Sequence, residues 1–426
     1  MNKKFQIKPR SAVAVLGCVF MFPSLQAQTV TPEQLLNQIQ ELRKTVQSQQ
    51  QLIEGLQYKV ESHALSKNVI KTELTDELKL SFAEQKNVSS DARAAWLNQI
   101  ELYGQLHASF DVLDNGSHLS GNSSRIGFRG DEAIDADLSL LWQVEMSINI
   151  DEGSNTDFNL RDSFVGFNHT SFGSLLVGRM DSAFERLHRW TDFFDDQIGD
   201  SRNIVGLISD KSYGFDNRED NSIKYISPEI NGFTTMVTYT TAEGEQSKST
   251  VAANVAYRNN QGLLLAAGAE INGDRHDKAN GPEEEMGLRL VGSYEWDNFK
   301  LSGILEYLDN VEGVNGQERS SGGFGGAYQF DEDNTFKAQF RHTSGISDDY
   351  ESTGYSFGWD HSLSEHTRVY MAYAITLNES LANNGVTGGG HGSDAKVTAG
   401  DDSKGISFGV VHSWWSIWSH AVANMI

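Results

Sequence analysis

Apolar side chains recur at positions 35, 39, 42, 46, 53, 56 and 60, with Gln49 the single polar interruption of the series. Steps of four and three make a heptad seam, with Ile39, Val46, Ile53 and Val60 at one core position and Leu35, Leu42 and Leu56 at the other. A coiled coil is expected over 28–63, opened by Thr31, Pro32 and Glu33 as cap and first turn. The β-branched and Leu placement leans towards two strands, but Gln49 can set register or number, so the oligomer is left open. Residues 64–98 are polar, with weaker helical character around 73–85, and read as a helical, polar linker.

From Gln99 the period changes to two. Alternating runs occur at 99–113, 122–133, 138–150, 160–169, 174–180, 220–228, 232–241, 250–258, 262–271, 286–296, 299–309, 322–331, 335–344, 353–362, 367–377 and 405–414. That predicts sixteen strands in the 316 residues from 99 to 414, about twenty residues each with its connection. The stretch Asn122–Glu132, "NSSRIGFRGDE", poses the question of which face is wet: Arg125, Gly127 and Arg129 share one side, Ile126 and Phe128 the other. A soluble sandwich would bury Ile126 and Phe128 in a core; a membrane barrel would turn them to lipid and aim the arginines into a lumen. In "FKLSGILEYL" Phe299, Leu301, Leu305 and Tyr307 alternate with Lys300, Ser302 and Glu306, and Val369, Met371, Tyr373, Ile375 and Leu377 share one face. Tyr103, Tyr225, Tyr257, Trp296, Tyr328 and Trp359, near the ends of runs, suit two interfacial aromatic belts. The fold class expected is all-β, a transmembrane antiparallel β-barrel preceded by an α-helical coiled coil. An amphipathic helix packed on its own barrel is the competing reading of the seam.

Composition narrows the setting. Residues 1–27 carry Lys3, Lys4, Lys8 and Arg10, an apolar run from Ala12 to Phe22, and Ala27 at a cleavable position, the layout of a secretory signal. The lone cysteine, Cys18, lies inside that run, so the mature chain would have no thiol; acylation at Cys18 is the competing use of it. Removing the signal's four basic residues takes the net charge from −24 to −28, which argues against a nucleic-acid partner. Thirty-eight of the 40 glycines lie beyond residue 100 and only Pro228 and Pro282 follow Pro32, as turn-rich strands require.

"IELYGQLHASFDV", "SSRIGFRGDE", "LRDSFVGFNHTSFGSLLVGRMDS" and "NREDNSIKYISPEINGF", in this order and spacing, resemble the trimeric, sixteen-stranded general porins of Gram-negative outer membranes. The resemblance covers about 99–414. It implies passive diffusion of ions and small hydrophilic solutes through a water-filled lumen, narrowed by an inward-folded third loop that faces basic residues on the wall. It implies a homotrimer among outer-membrane lipid and lipopolysaccharide, no cofactor, no metal and no enzymatic role. Carried over by position, Arg125, Arg129, Arg161 and Arg218 become wall residues; parity adds that Arg218 and Lys224 share a face and that Arg161 lies opposite Phe164. The inward loop would run from about Asp181 to Asn217, with Asp192, Asp195, Asp196 and Asp200 set against the wall arginines. Two features depart from the family. The loop lacks a Pro-Glu-Phe-Gly-Gly segment, and the pattern closes at Trp414 but is followed by an atypical tail, 415–426. The coiled coil, also extra to the commonest form, would lie in the periplasm and could hold the trimer or reach the cell wall.

An enzyme would need motifs that are missing: there is no Gly-x-Ser-x-Gly elbow, no His-Glu-x-x-His, and the acid run 192–200 lacks the alternate ligands and central glycine of a calcium loop. A sugar or dicarboxylate channel, and a structural tether acting through the coiled coil, are the remaining alternatives.

Overall fold

The structure, a computed structural model, describes Lys44 and residues 100–151, 158–206, 215–244, 248–273, 284–393 and 396–414. The chain divides into two compact units, Met1–Ser90 and Asp91–Ile426, and the described strands all lie in the second. The expected signal, coiled coil (Lys44 apart), linker and C-terminal tail lie outside the described residues.

Alternation makes strands here because each residue has a face suited to it. The strands are β1 (Ile100–Leu113), β2 (Gly116–Gly121), β3 (Arg125–Ala133), β4 (Leu138–Ile148), β5 (Phe158–His169), β6 (Gly173–Asp181), β7 (Arg218–Ile226), β8 (Phe233–Thr240) and β9 (Thr250–Arg258). They continue with β10 (Leu263–Asn272), β11 (Glu285–Trp296), β12 (Phe299–Asp309), β13 (Arg319–Gln329), β14 (Asn334–Thr343), β15 (Ser352–Ser364), β16 (Thr367–Asn378) and β17 (Ser403–Trp414). All lie in one antiparallel sheet. It closes on itself: β1 pairs with β17 from Gly104↔Trp414 to Leu113↔Gly405, and along its other edge with β2 and β3. Since β2 and β3 pair with the two halves of the same strand, they form one stave, and the wall is a closed barrel of sixteen. Among the described strands no edge is left unpaired.

The expected strand 122–133 therefore starts earlier and is broken. Ser123 takes a left-handed backbone (φ 44°), and Asn122 turns inward to donate from its amide to Ser109 Oγ at 2.8 Å. Asn122 N–H still donates to His107 O at 2.8 Å, so the break between β2 and β3 falls at the left-handed Ser123.

Connections of two to six residues join the strands at one rim, while the other carries long loops such as 182–217 and 379–402. The outer face is apolar: Leu305 is 62% exposed, Phe324 65% and Phe357 54%. A continuous greasy belt of this extent is the lipid-facing surface of a membrane barrel. Tyr294, Trp296, Phe299 and Tyr328 stack successively near the short-turn rim, as an interfacial girdle should. Tyr103 corrects the aromatic expectation. It is buried inside with Glu101, His107 and Asp111 on the same strand face, and its hydroxyl donates to Glu145 at 2.9 Å.

The described parts of the connection after β6, residues 182–206 and 215–217, pack against side chains of the strands. The one-turn helix α1 (Arg186–Arg189) carries the buried Leu187. Phe184, Leu187, Val205 and Phe215 join wall residues such as Ile304 and Leu308 in one apolar cluster; Phe194 and Ile198 join Ala372 and Val386 in another. Small residues make the seats: a Cβ on Gly287 would meet Phe215 at 2.6 Å, and one on Gly358 would meet Phe194 at 2.9 Å. Hydrogen bonds fix the course of the loop, with Asn254 Nδ2 donating to Ala183 O, Ser302 Oγ to Thr191 O at 2.7 Å and Gln339 Nε2 to Gly199 O at 3.2 Å.

Candidate functional site

What the packed loop leaves open is a polar gap of about 170 Å³ against the opposite wall. It is lined by Arg125, Arg129, Arg161 and Arg218, the four arginines singled out from sequence, and by Arg186 and Arg189 of α1, together with Tyr103, Gln143, Glu145, Asp162 and Asp181. Each wall arginine is held differently. Arg129 makes two 2.8 Å bonds to Glu101 and lies over the Tyr103 ring. Arg161 donates to Glu145 at 2.6 Å. Arg218 bonds Asp162 and lies 2.7 Å from Asp181, which Arg189 also reaches at 3.1 Å while donating to Glu185 at 2.7 Å. Arg125 has only long contacts: Ser123 O at 3.2 Å, Gln105 Oε1 at 3.4 Å and Asp196 at 3.7 Å. In all of these pairs the arginine is the more exposed partner. The carboxylates stand behind guanidiniums that face the water.

The parity reading of Arg161 needs correcting. A register shift between Val144 and Met146 inserts an extra residue on β5, so Phe164, expected on the lipid side, is buried in the interior cluster, while Arg161 and its neighbour Asp162 both line the gap.

The four loop acids lie elsewhere than a single row facing the wall. Only Asp196 approaches a wall arginine. Arg202, in the same loop, lies 2.9 Å from Asp195, 3.3 Å from Asp196 and 2.6 Å from Asp200. Asp192 accepts from the Phe194 and Ser201 backbone N–H groups, both at 2.8 Å. Burial alone would raise Asp196, but Arg202 and then Arg125 outweigh it and hold that carboxyl below the usual range. Burial raises Asp200 despite Arg202. One oxygen each of Asp192, Asp195 and Asp200 come within 4.8 Å of one another, a spacing that could hold a cation. Arg202 already supplies positive charge there.

A second buried knot sits at the far end of the loop. Arg289 on β11 donates to Asp216 at 2.5 Å and to Glu306, and His188 Nδ1 lies 3.5 Å from the same aspartate. Burial pushes His188 down, but the Asp216 charge overrides it and raises the imidazole. The sequence marks His188, beside Arg189, as a loop or lip residue rather than a ligand, and Glu306 as part of an alternating run; Arg289, Asp216, Arg186 and Arg202 it does not single out. The signal for Arg202 was present, since it follows the acid run within two residues of Asp200.

The family described as Gram-negative porin matches residues 83–381. The chain belongs to that family. As a porin it is an outer-membrane protein. The major outer membrane protein P.IB of Neisseria meningitidis serogroup B is 26% identical to it over 233 residues, half of this porin and 66% of that protein. The P.IA protein of the same species, serogroup B, is 30% identical over 152 residues, 35% of this porin and 36% of that one. The porin thus spans between about a third and two thirds of these relatives' lengths. Among solved structures, the anion-selective porin from Comamonas acidovorans superposes with a TM-score of 0.64 at 22% identity, covering 74% of this porin and 99% of that chain. The trimer form of OmpT from Vibrio cholerae gives 0.57 at 17% identity, with 74% and 99% covered. At these identities the likeness speaks for the barrel alone.

Proposed function

We propose that the chain forms a water-filled channel across the outer membrane for passive diffusion of ions and small hydrophilic solutes, with small anions favoured at its narrowest level. The supporting observation is the gap between loop and wall, where six arginines line the water and the carboxylates that pair with five of them are set further back. Such pairs are dipoles with the positive end forward, so an anion at short range meets guanidinium first. Asp195 is the exception, more exposed than its partner Arg202, and gives the loop lip a local negative charge opposite the basic wall. The resulting transverse field orders water and filters solutes by charge as well as width. Short turns face the periplasm and long loops the outside in barrels of this kind, which puts Ile100 and Trp414 at the periplasmic rim. The same reading includes assembly as a homotrimer, with the heptad seam of 28–63 as an added periplasmic element.

Planar bilayers test it. Purified protein should open in stable steps, closing in threes, and the reversal potential in a KCl gradient should carry the sign of chloride preference. Folded protein that never conducts would remove the channel reading; a potassium-signed potential would remove the anion preference.

A further inference from the structure

The wall arginines of the eyelet all have carboxylate partners, with Arg125 the loosest. Among the described residues, three other cations nearby have no side-chain hydrogen bond or ion pair at all. Lys224 is only 1% exposed on the lumen face of β7, and its ammonium makes no hydrogen bond or ion pair among the described residues. Arg186 of α1, which lines the gap, makes none among them either. Arg258, the last residue of β9, has its guanidinium 4.4 Å over the Trp190 ring, a contact that leaves its N–H edges unspent. The three stand around α1: Arg258 packs on Trp190, which caps the helix that carries Arg186, and Thr238, cross-strand from Lys224, accepts from Ala183 N–H at 3.1 Å just ahead of that helix. The acids acting on them are Asp162, Asp181, Glu185 and Glu229. Asp162 and Asp181 are paired to Arg218, and Asp181 and Glu185 to Arg189, while Glu229 lies in the periplasmic turn after β7. Height along the barrel follows from register. Arg218 opens β7 at the long-loop end, Lys224 pairs with Leu176 and Thr238 further down, and Arg258 adjoins a short turn.

Burying an ammonium without a partner is costly, and a protein interior ordinarily supplies one. Here the missing charge is most simply brought by the solute. The geometry points to a second anion station just below the eyelet, formed by Arg186, Lys224 and Arg258, that takes a small oxyanion carrying two negative charges. A dianion with several oxygens can bridge donors on α1 and β7 at once, whereas chloride can only neutralise them one at a time. The inference rests on the channel reading, and adds to it a class of solute and a place where that solute pauses.

Inorganic phosphate is the probe, applied from the periplasmic side to single channels carrying chloride current at neutral pH. Expected is a concentration-dependent block in the wild-type protein. In Arg186→Gln and in Lys224→Met the half-blocking concentration, measured against each variant's own open current, should rise about tenfold, the loss for one charge-assisted hydrogen bond. Arg179→Gln removes a cation that pairs with the exposed Asp220 instead, and should leave the block unchanged. Arg186 sits on the loop, so its variant tests the station even if Lys224→Met fails to form a barrel. Open channels that phosphate does not block, or a block weakened by Arg125→Ala but not by the station variants, would overturn the inference and leave the channel reading standing. Absence of any conductance from folded protein would remove both.

Discussion

Arg125→Ala should lower the anion preference of the pore without unfolding it. Among the four wall arginines first singled out, Arg125 alone lacks a carboxylate within hydrogen-bonding distance, Asp196 being 3.7 Å away. Its charge is therefore the least cancelled of the four. A unit charge acts on an ion passing at about 4 Å with about 1 kcal/mol in a bulk-water dielectric and about 4 kcal/mol at an effective value of 20. The gap is wet on one side, so the lower figure applies, and about 1 kcal/mol corresponds to about a fivefold change in local ion concentration. The structural loss is small, because the two hydrogen bonds given up are 3.2 and 3.4 Å long and Asp196 keeps Arg202 at 3.3 Å. Reversal potentials in KCl gradients provide the assay, read at low and at high mean salt. The chloride-to-potassium permeability ratio should fall severalfold near 0.1 M, where screening extends over about 10 Å, and much less at 1 M, where it is about 3 Å. An unchanged ratio at low salt with the pore open, or an equal shift at both salts, would refute a direct electrostatic role.

Arg202→Ala removes the shared partner of three aspartates; the segment 192–204 should loosen at a cost of about 3–5 kcal/mol, seen as faster amide exchange there and noisier current. Phe184→Ala empties a fully buried seat against Phe215 and should destabilise the loop's docking by about 3–5 kcal/mol, with the outer barrel's resistance to detergent little altered. Asp196 is held below its unfolded value of about 3.9, so its contribution is present above that pH and is lost as pH falls through the lower folded value. Asp196→Asn should accordingly cost stability at neutral pH, and the gap between variant and wild type should close in strong acid, as followed by loop proteolysis. His188 has the opposite sign: raised by Asp216, it stabilises fully below about 6.5 and less as pH climbs through its folded value. His188→Gln should thus differ from wild type most on the acid side; equal loop proteolysis of the two at every pH would sink this.

Most of the wall was legible in the residues because a lipid-exposed barrel obeys period two with few exceptions. Alternation puts Arg125 and Arg129 on one face and Ile126 and Phe128 on the other, and the family resemblance adds that the arginine face is the wall of the lumen. The exceptions are local insertions. The extra residue that lets Arg161 and Asp162 both line the gap leaves no trace in a count of alternating positions, so Phe164 was placed on the wrong side. Tyr103 was missed for another reason: residue type suggested a belt, although Glu101, Gln105, His107 and Asp111 at the same parity already marked the face as wet. Loop geometry was the least legible part. Spacing could mark 181–217 as long and acidic, but the loop's path depends on glycine seats spread from β10 to β15, distant in sequence and meaningful only once the barrel is closed. For the same reason Lys224 was read as a parity witness for Arg218 rather than as an unpaired charge.

The loop's two sides do separable work. Its apolar side, through Phe184, Leu187 and Phe194, sets how far the loop stands from the opposite wall, and these three side chains are not among those that line the gap. Its polar side, through Asp196, Arg186 and Arg189, sets the field in the gap that remains. Changes at sites without shared partners add within a few tenths of a kcal/mol. Phe184→Ala should therefore alter conductance while leaving the permeability ratio near wild type, Arg125→Ala should do the reverse, and the double variant should show the two effects summed. Strong coupling between them would mean that the seat and the charge are one element, with the arginine wall helping to hold the loop in place.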